Sequence, residues 1–252
     1  MNDRLRPQTD DYAIPILPVQ GRAGERGIDV RLPTRAWPDR HERLALHPLA
    51  IRECEAIQTR LWLGYPDGSA GTVTTFIGAN PGCGVSTVAA NFAAALAHGT
   101  RDDVLLVRFG ERAKARIPQK DALDLERWLD DQARPPRASA HTPHNILLLT
   151  SDSLGRAVSA LLRSAAFDDF LARARARFGH VVIDAPPLQG NAEGLVLCRK
   201  ADGAVLVVGS GRTRTRAALW AREEIVQARA NLVGVVLNRH RHYIPRWLYR
   251  ML

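Results

Sequence analysis

Lysine is nearly absent from this chain. Of its 252 residues 35 are lysine or arginine, and Lys114, Lys120 and Lys200 are the only lysines, so the net charge of +9 is carried by arginine. Such a bias can follow genome composition, and basicity alone does not select a nucleic-acid partner; none is expected here. An anionic membrane surface or an acidic protein fits the charge as well. Cysteine is scarce too. Cys54, Cys83 and Cys198 are scattered, with no CxxC pair. That excludes a disulfide framework and a zinc pattern, and it suits a reduced cytoplasmic compartment. No apolar run approaches the about 20 residues that span a bilayer. The polar stretch Met1–Asp11 gives no signal peptide.

What is present is a glycine loop in a telling place. Residues 74–87 read Thr-Thr-Phe-Ile-Gly-Ala-Asn-Pro-Gly-Cys-Gly-Val-Ser-Thr. An apolar strand (Val73–Ile77) runs into a Gly/Pro turn, and an alanine-rich helix opens at Ser86-Thr87. Strand, glycine loop and helix start form a phosphate cradle: backbone N–H groups crowd the polyanion and the helix N-terminus adds partial positive charge. The nucleotide-binding candidates are therefore Gly82, Cys83, Gly84, Val85, Ser86 and Thr87. Position 85 should hold a lysine that reaches the β- and γ-phosphates, and it holds Val85. A lysine ~4 Å from a phosphate oxygen is worth about 4 kcal/mol at an effective dielectric near ~20. Losing it costs ~10²–10³ in rate or affinity.

The flanking pattern predicts the architecture. Residues 1–45, rich in Pro, Gly, Arg and Asp, read as a disordered arm. Leu46–Leu63 reads as a helix and Gly64–Gly71 as a hinge. Strands are expected at Val73–Ile77, Val104–Val107, Asn145–Thr150, His180–Asp184, Gly203–Val208 and Leu232–Leu237. Helices are expected at Val85–His98, Asp121–Asp131, Leu161–Phe178, Ala192–Lys200 and Thr213–Ala230. The strands are nearly continuous apolar runs, as when both faces are covered by helices. The alternation implies a doubly wound, mainly parallel α/β sheet of the P-loop type over residues 46–238, followed by a basic tail, 239–252.

Several segments together resemble the bacterial tyrosine kinases of capsule and exopolysaccharide export. Phe178-Gly-His-Val-Val-Ile-Asp-Ala-Pro-Pro187 resembles that family's second nucleotide motif, and Asn80-Pro-Gly-Cys-Gly84 its Pro-Gly-x-Gly loop. Leu161–Phe170, Ala201–Val208 and Leu232–Asn238 resemble the helix before that motif and two later strands. The resemblance covers about residues 46–252. It implies ATP or ADP with Mg²⁺ as cofactors, Ser86 and Asp184 as metal ligands, and Asp184 as the catalytic candidate if the chain is active. It also implies a membrane-bound co-polymerase or chain-length protein as partner, a homo-oligomer, and a location at the cytoplasmic side of the inner membrane.

The departures shape the expectation. Where the family has an Asp-x-Asp pair after its second strand, this chain has Arg108-Phe109-Gly110. The family's tail of phosphorylated tyrosines is reduced to Tyr243 and Tyr249, and of its Glu-x-x-Arg-x-x-Arg oligomerisation motif Glu55, Gln58 and Arg60 remain. Arg108 either supplies compensating charge to a nucleotide or is an ion-paired strand end. Asp184 either holds Mg²⁺ or caps the Ser86 hydroxyl. Cys83 reads as a small filler, and His240 and His242 as solvated charge. In the tail, Ile244, Trp247, Leu248 and Met251 share a helical face, with Arg246 and Arg250 beside it. Arg246, Trp247 and Arg250 are the candidates for contact with a membrane or a partner; the other reading packs this helix on the domain. The resulting expectation is a tyrosine-kinase-like regulator with a degenerate site, able to scaffold a glycosyltransferase. The alternatives are an active autokinase, a partition- or cellulose-associated ATPase, and an interaction module without nucleotide.

Overall fold

A computed structural model describes residues 14–17, 28–30, 54–59, 71–100, 102–110, 123–125, 129, 146–151 and 156–239. Nine strands form one sheet. They are β1 (Ile14–Leu17), β2 (Ile28–Val30), β3 (Thr72–Gly78), β4 (Val104–Phe109), β5 (Leu123–Asp124), β6 (Ile146–Ser151), β7 (His180–Asp184), β8 (Gly203–Gly209) and β9 (Leu232–Asn238). Among the described residues, besides the helical stretch 54–59, lie the helices α1 (Val85–Gly99), α2 (Arg156–Leu162), α3 (Ala165–Arg177), α4 (Glu193–Lys200) and α5 (Thr215–Gln227). The spatial order is β2-β1-β9-β8-β3-β7-β4-β6-β5. From β9 to β5 every neighbour is parallel, and only β1 and β2 run antiparallel.

The apolar runs become strands because both faces are covered. In β4, Leu105 and Val107 enter the cluster that holds Phe167 and Phe170 of α3, while Val104 and Leu106 enter the cluster around α1. This is the period-2 alternation of a strand with two apolar environments. Helix α1 lies against the sheet with Val85 and every residue from Val88 to Ala97 buried. Alanine brings its backbone close to the strands, and Phe92 fills the remaining space against Phe76, ring centroids 5.1 Å apart. Strand β3 is central, and the chain turns to opposite sides of it, toward β4 and β6 first and toward β8 and β9 later. The crevice outside the carboxyl ends of such strands is where ligands bind in open α/β sheets.

Three segments differ from the sequence reading. The N-terminal arm contributes β1, which pairs with β9 through Ile16↔Val236 and Leu17↔Val235, and β2 beyond it. These pieces of four and three residues are too short to show a period. The long helix expected over Leu161–Phe178 is two helices. Ser164 between them is extended (φ −77°, ψ 151°) and its hydroxyl accepts a hydrogen bond from Phe167 N, so it caps α3. Within the helix expected over Asp121–Asp131, Leu123–Asp124 is instead the edge strand β5 beside β6. Of the helix expected at Leu46–Leu63, residues 54–59 are helical, with Cys54 and Ile57 buried.

Candidate functional site

The glycine loop follows β3 at the middle of the sheet. Gly82 and Gly84 have φ of 81° and 87°, a region that side chains with a Cβ rarely adopt. Gly84 also precedes α1, and its carbonyl accepts hydrogen bonds from Thr87 N and Val88 N, each 3.1 Å. A Cβ on Gly84 would fall on the side-chain amide of Asn238.

The loop is held from behind by three polar side chains. Asn238 Nδ2, at the end of β9, donates to Cys83 O at 2.8 Å. Thr213 Oγ1 donates to Asn80 Oδ1 at 2.7 Å and accepts from Gly209 N at 2.9 Å. Cys83 Sγ is buried and donates to Asn80 O at 2.8 Å. Asn80, Thr213 and Asn238 were not singled out from the sequence. The only signal available for Asn238 was its place at the end of the last apolar strand.

Val85 sits in the lysine position but turns inward. It is buried in the apolar cluster of α1, and a Cβ on Gly78 would lie 2.8 Å from its Cγ2. Position 85 therefore delivers no charge to the loop. Two other guanidiniums stand nearby. Arg212 Nη1 is 3.6 Å from where a Cβ on Gly82 would be, and Arg239 Nε 3.9 Å from the equivalent point on Gly84.

Arg108 and Asp184 are partners in the β4–β7 register, so both side chains leave the carboxyl ends of adjacent strands. Arg108 Nε donates to Asp184 Oδ2 at 2.8 Å, and the two side chains keep 8% and 3% of their surface. Burial pushes the Asp184 carboxyl above its ordinary value, while the guanidinium of Arg108 pulls it back down. Of the two readings open for Arg108, the ion pair at a strand end is present in the structure.

The phosphate half of a nucleotide site keeps its shape here: positive-φ glycines and a helix start with no acidic residue in its first turn. The metal half does not fit. Ser86 and Asp184 face each other as a Mg²⁺ pair would, but the guanidinium of Arg108 already neutralises the carboxylate, and no second carboxylate follows at Phe109 or Gly110. Among the described residues no group of three His, Cys, Asp or Glu side chains is placed to hold a metal ion. Cys54 and Cys198 are buried too, and burial pushes the Cys198 thiol up to about 12. Arg246, Trp247, Arg250, Tyr243, Tyr249, His240 and His242 lie outside the described residues. No helix among the described residues is long and apolar enough to cross a membrane.

Comparison with known proteins agrees with the geometry. No family model matches the chain. It is 30% identical over 166 residues to the tyrosine-protein kinase YwqD of Bacillus subtilis (strain 168), covering 63% of this chain and 68% of that protein. It is 28% identical over 171 residues to the tyrosine-protein kinase CpsD of Streptococcus pneumoniae serotype 4 (strain ATCC BAA-334 / TIGR4), covering 64% and 72%. The kinase domain of Escherichia coli tyrosine kinase ETK shares the fold with a TM-score of 0.65 at 19% identity, covering 85% of this chain and 90% of that one. With its glycine loop after the central strand and its buried aspartate at the end of the neighbouring one, the chain belongs to the bacterial tyrosine kinase family.

Proposed function

We propose that this chain regulates capsule or exopolysaccharide synthesis and export as a tyrosine-kinase-like protein that does not itself transfer phosphate. One observation carries the reading: the buried 2.8 Å ion pair between Arg108 and Asp184. Phosphoryl transfer rests on positioned positive charge and metal around the γ-phosphate. In this chain Asp184 is neutralised internally and the lysine position is apolar. Nucleotide binding is correspondingly weak, limited to the backbone cradle of residues 82–87 and the arginines beside it.

The role is then one of assembly. The kinase-like domain, residues 46–238, docks on the cytoplasmic tail of a membrane-bound co-polymerase or chain-length protein. The tail 239–252, with Arg246, Trp247 and Arg250, holds the chain at the inner membrane. A glycosyltransferase or further copies of the chain join the same complex. The resemblance to export kinases and the retained fold support this; an interaction surface needs the scaffold but not the lysine.

Incubation of the purified chain with γ-labelled ATP and Mg²⁺ tests the chemistry. No label is expected on Tyr243 or Tyr249. None is expected from Val85→Lys either, because Arg108 still occupies Asp184. Ordinary kinase turnover by the unaltered chain sinks the reading. Copurification from cells tests the assembly: a membrane protein of the export machinery is expected, and its loss on truncation after Asn238 marks the tail as the docking element.

A further inference from the structure

We infer that the turn into α5 and the first two turns of that helix form a lipid contact, separate from the tail, that sets the carboxyl end of the sheet against anionic headgroups. This rests on the reading of the chain as held at the inner membrane, and deepens it by naming a lipid-facing surface on the folded domain. Arg212, Arg214 and Arg216 are exposed within five residues. Ser210 N donates to Asn238 O at 2.8 Å, which puts Arg239 and the start of the tail beside this turn. Among the described residues no carboxylate pairs with any of these four guanidiniums. Two acids at this end of the sheet are engaged elsewhere: Asp184 pairs with Arg108, and Glu193 at the start of α4 accepts from Ser159.

Apolar surface lies beside the charge. Leu219 and Trp220 are 50% and 42% exposed. They follow Arg216 by three and four residues, so they flank it on one helix face. Arginine around exposed tryptophan and leucine suits the headgroup level, with guanidiniums on phosphate and apolar groups at the acyl boundary. Glu223 lies on the same face, seven residues beyond Arg216. That is about 10 Å further along the axis, roughly one Debye length at physiological salt. Helix α5 follows the carboxyl end of β8, so its first turns meet the surface and Glu223 stands back from it. The tail leaves from the same end and repeats the composition in Arg246, Trp247, Leu248 and Arg250, with no acid after Asn238. That continuity favours one lipid surface over an acidic protein. The glycine loop then faces the headgroups, with Arg212 and Arg239 beside it.

The probe is a vesicle of phosphatidylglycerol in phosphatidylcholine, sedimented with the full chain. The unaltered protein should bind it and ignore pure phosphatidylcholine. Arg212→Gln, Arg214→Gln and Arg216→Gln together should weaken binding about 10–100-fold. A control set removes the same charge at exposed Arg163, Arg173 and Arg177, each to Gln, and should weaken it less than about threefold. Trp220→Phe should keep binding but lose part of the quenching of tryptophan emission by brominated lipid. Melting curves show which variants are folded, and Trp220→Phe carries the test if the triple variant is not. The inference is overturned if the α5 set weakens binding no more than the control set, or if Trp220→Phe leaves the quenching unchanged. Binding to polyglutamate without binding to vesicles also overturns it, and assigns the surface to an acidic protein. The tail is scored apart, with Arg246→Gln, Trp247→Ser and Arg250→Gln combined. Loss there with none in the α5 set defeats this inference alone. Loss in the α5 set with none in the tail set defeats the tail's role alone. No vesicle binding by the unaltered chain defeats the membrane reading itself.

Discussion

Asn238 and Gly84 meet where the last strand touches the glycine loop: the Asn238 amide donates to Cys83 O at 2.8 Å and fills the space a Cβ on Gly84 would need. The contact couples β9 to the loop that opens α1. Gly84→Ala is expected to destabilise the chain by about 1–3 kcal/mol, from its positive φ and the displaced amide together. Asn238→Ala removes only the hydrogen bond and should cost about 1 kcal/mol. Urea midpoints of the two variants check the order; equal losses would show that the steric contact does not matter.

His180 predicts the direction of an acid sensitivity. It is buried between Thr72, whose hydroxyl lies 2.9 Å from Nδ1, and Asp102, 3.9 Å from Nε2. Burial lowers its pKa below the ordinary 6.5, and the Asp102 charge opposes this only in part. Below 6.5 the unfolded chain therefore takes up a proton that the folded chain refuses. The contribution of this group to stability is complete above pH 6.5 and is lost as pH falls from there through the folded value. The slope is at most ~1.4 kcal/mol per pH unit. His180→Gln should flatten it, as read from denaturation midpoints between pH 5 and 8.

Asp202 ties the opposite end of the sheet. It accepts hydrogen bonds from both terminal nitrogens of Arg175, Nη2 at 2.8 Å, and from Val73 N at 2.8 Å. Three elements meet there: the last part of α3, the start of β3 and the turn into β8. Asp202→Ala leaves the Val73 N–H without its acceptor and the Arg175 guanidinium with only Gly71 O, and is expected to cost about 1–3 kcal/mol. A double-mutant cycle with Arg175→Ala isolates the pair. Its coupling should be about 1 kcal/mol because both groups keep access to water.

Local pattern carried much of the fold. The apolar runs at Val104–Val107, His180–Asp184, Gly203–Val208 and Leu232–Leu237 became β4, β7, β8 and β9, because a strand buried on both faces needs no partner to be recognised. The break at Ser164 left no such trace. The third helical position is Phe167, not the Glu or Gln of a capping box, so only a lone serine marked the cap. The arrangement of the site was less legible still. Arg108 and Asp184 are 76 residues apart, and Asn238 and Cys83 are 155 apart. Each pair is set by which strands lie side by side, and periodicity along the chain does not record that.

The near-complete burial of α1 has a consequence for how sequences like this one are read. Its alanines lie against the strands beneath them, and Asn238 and Thr213 bond the loop from behind, so the protein's own contacts support the curl of residues 82–84. A glycine loop of this kind is thus part of the sheet's own architecture. The residue facing the buried aspartate is then the place to compare between chains that carry such a loop.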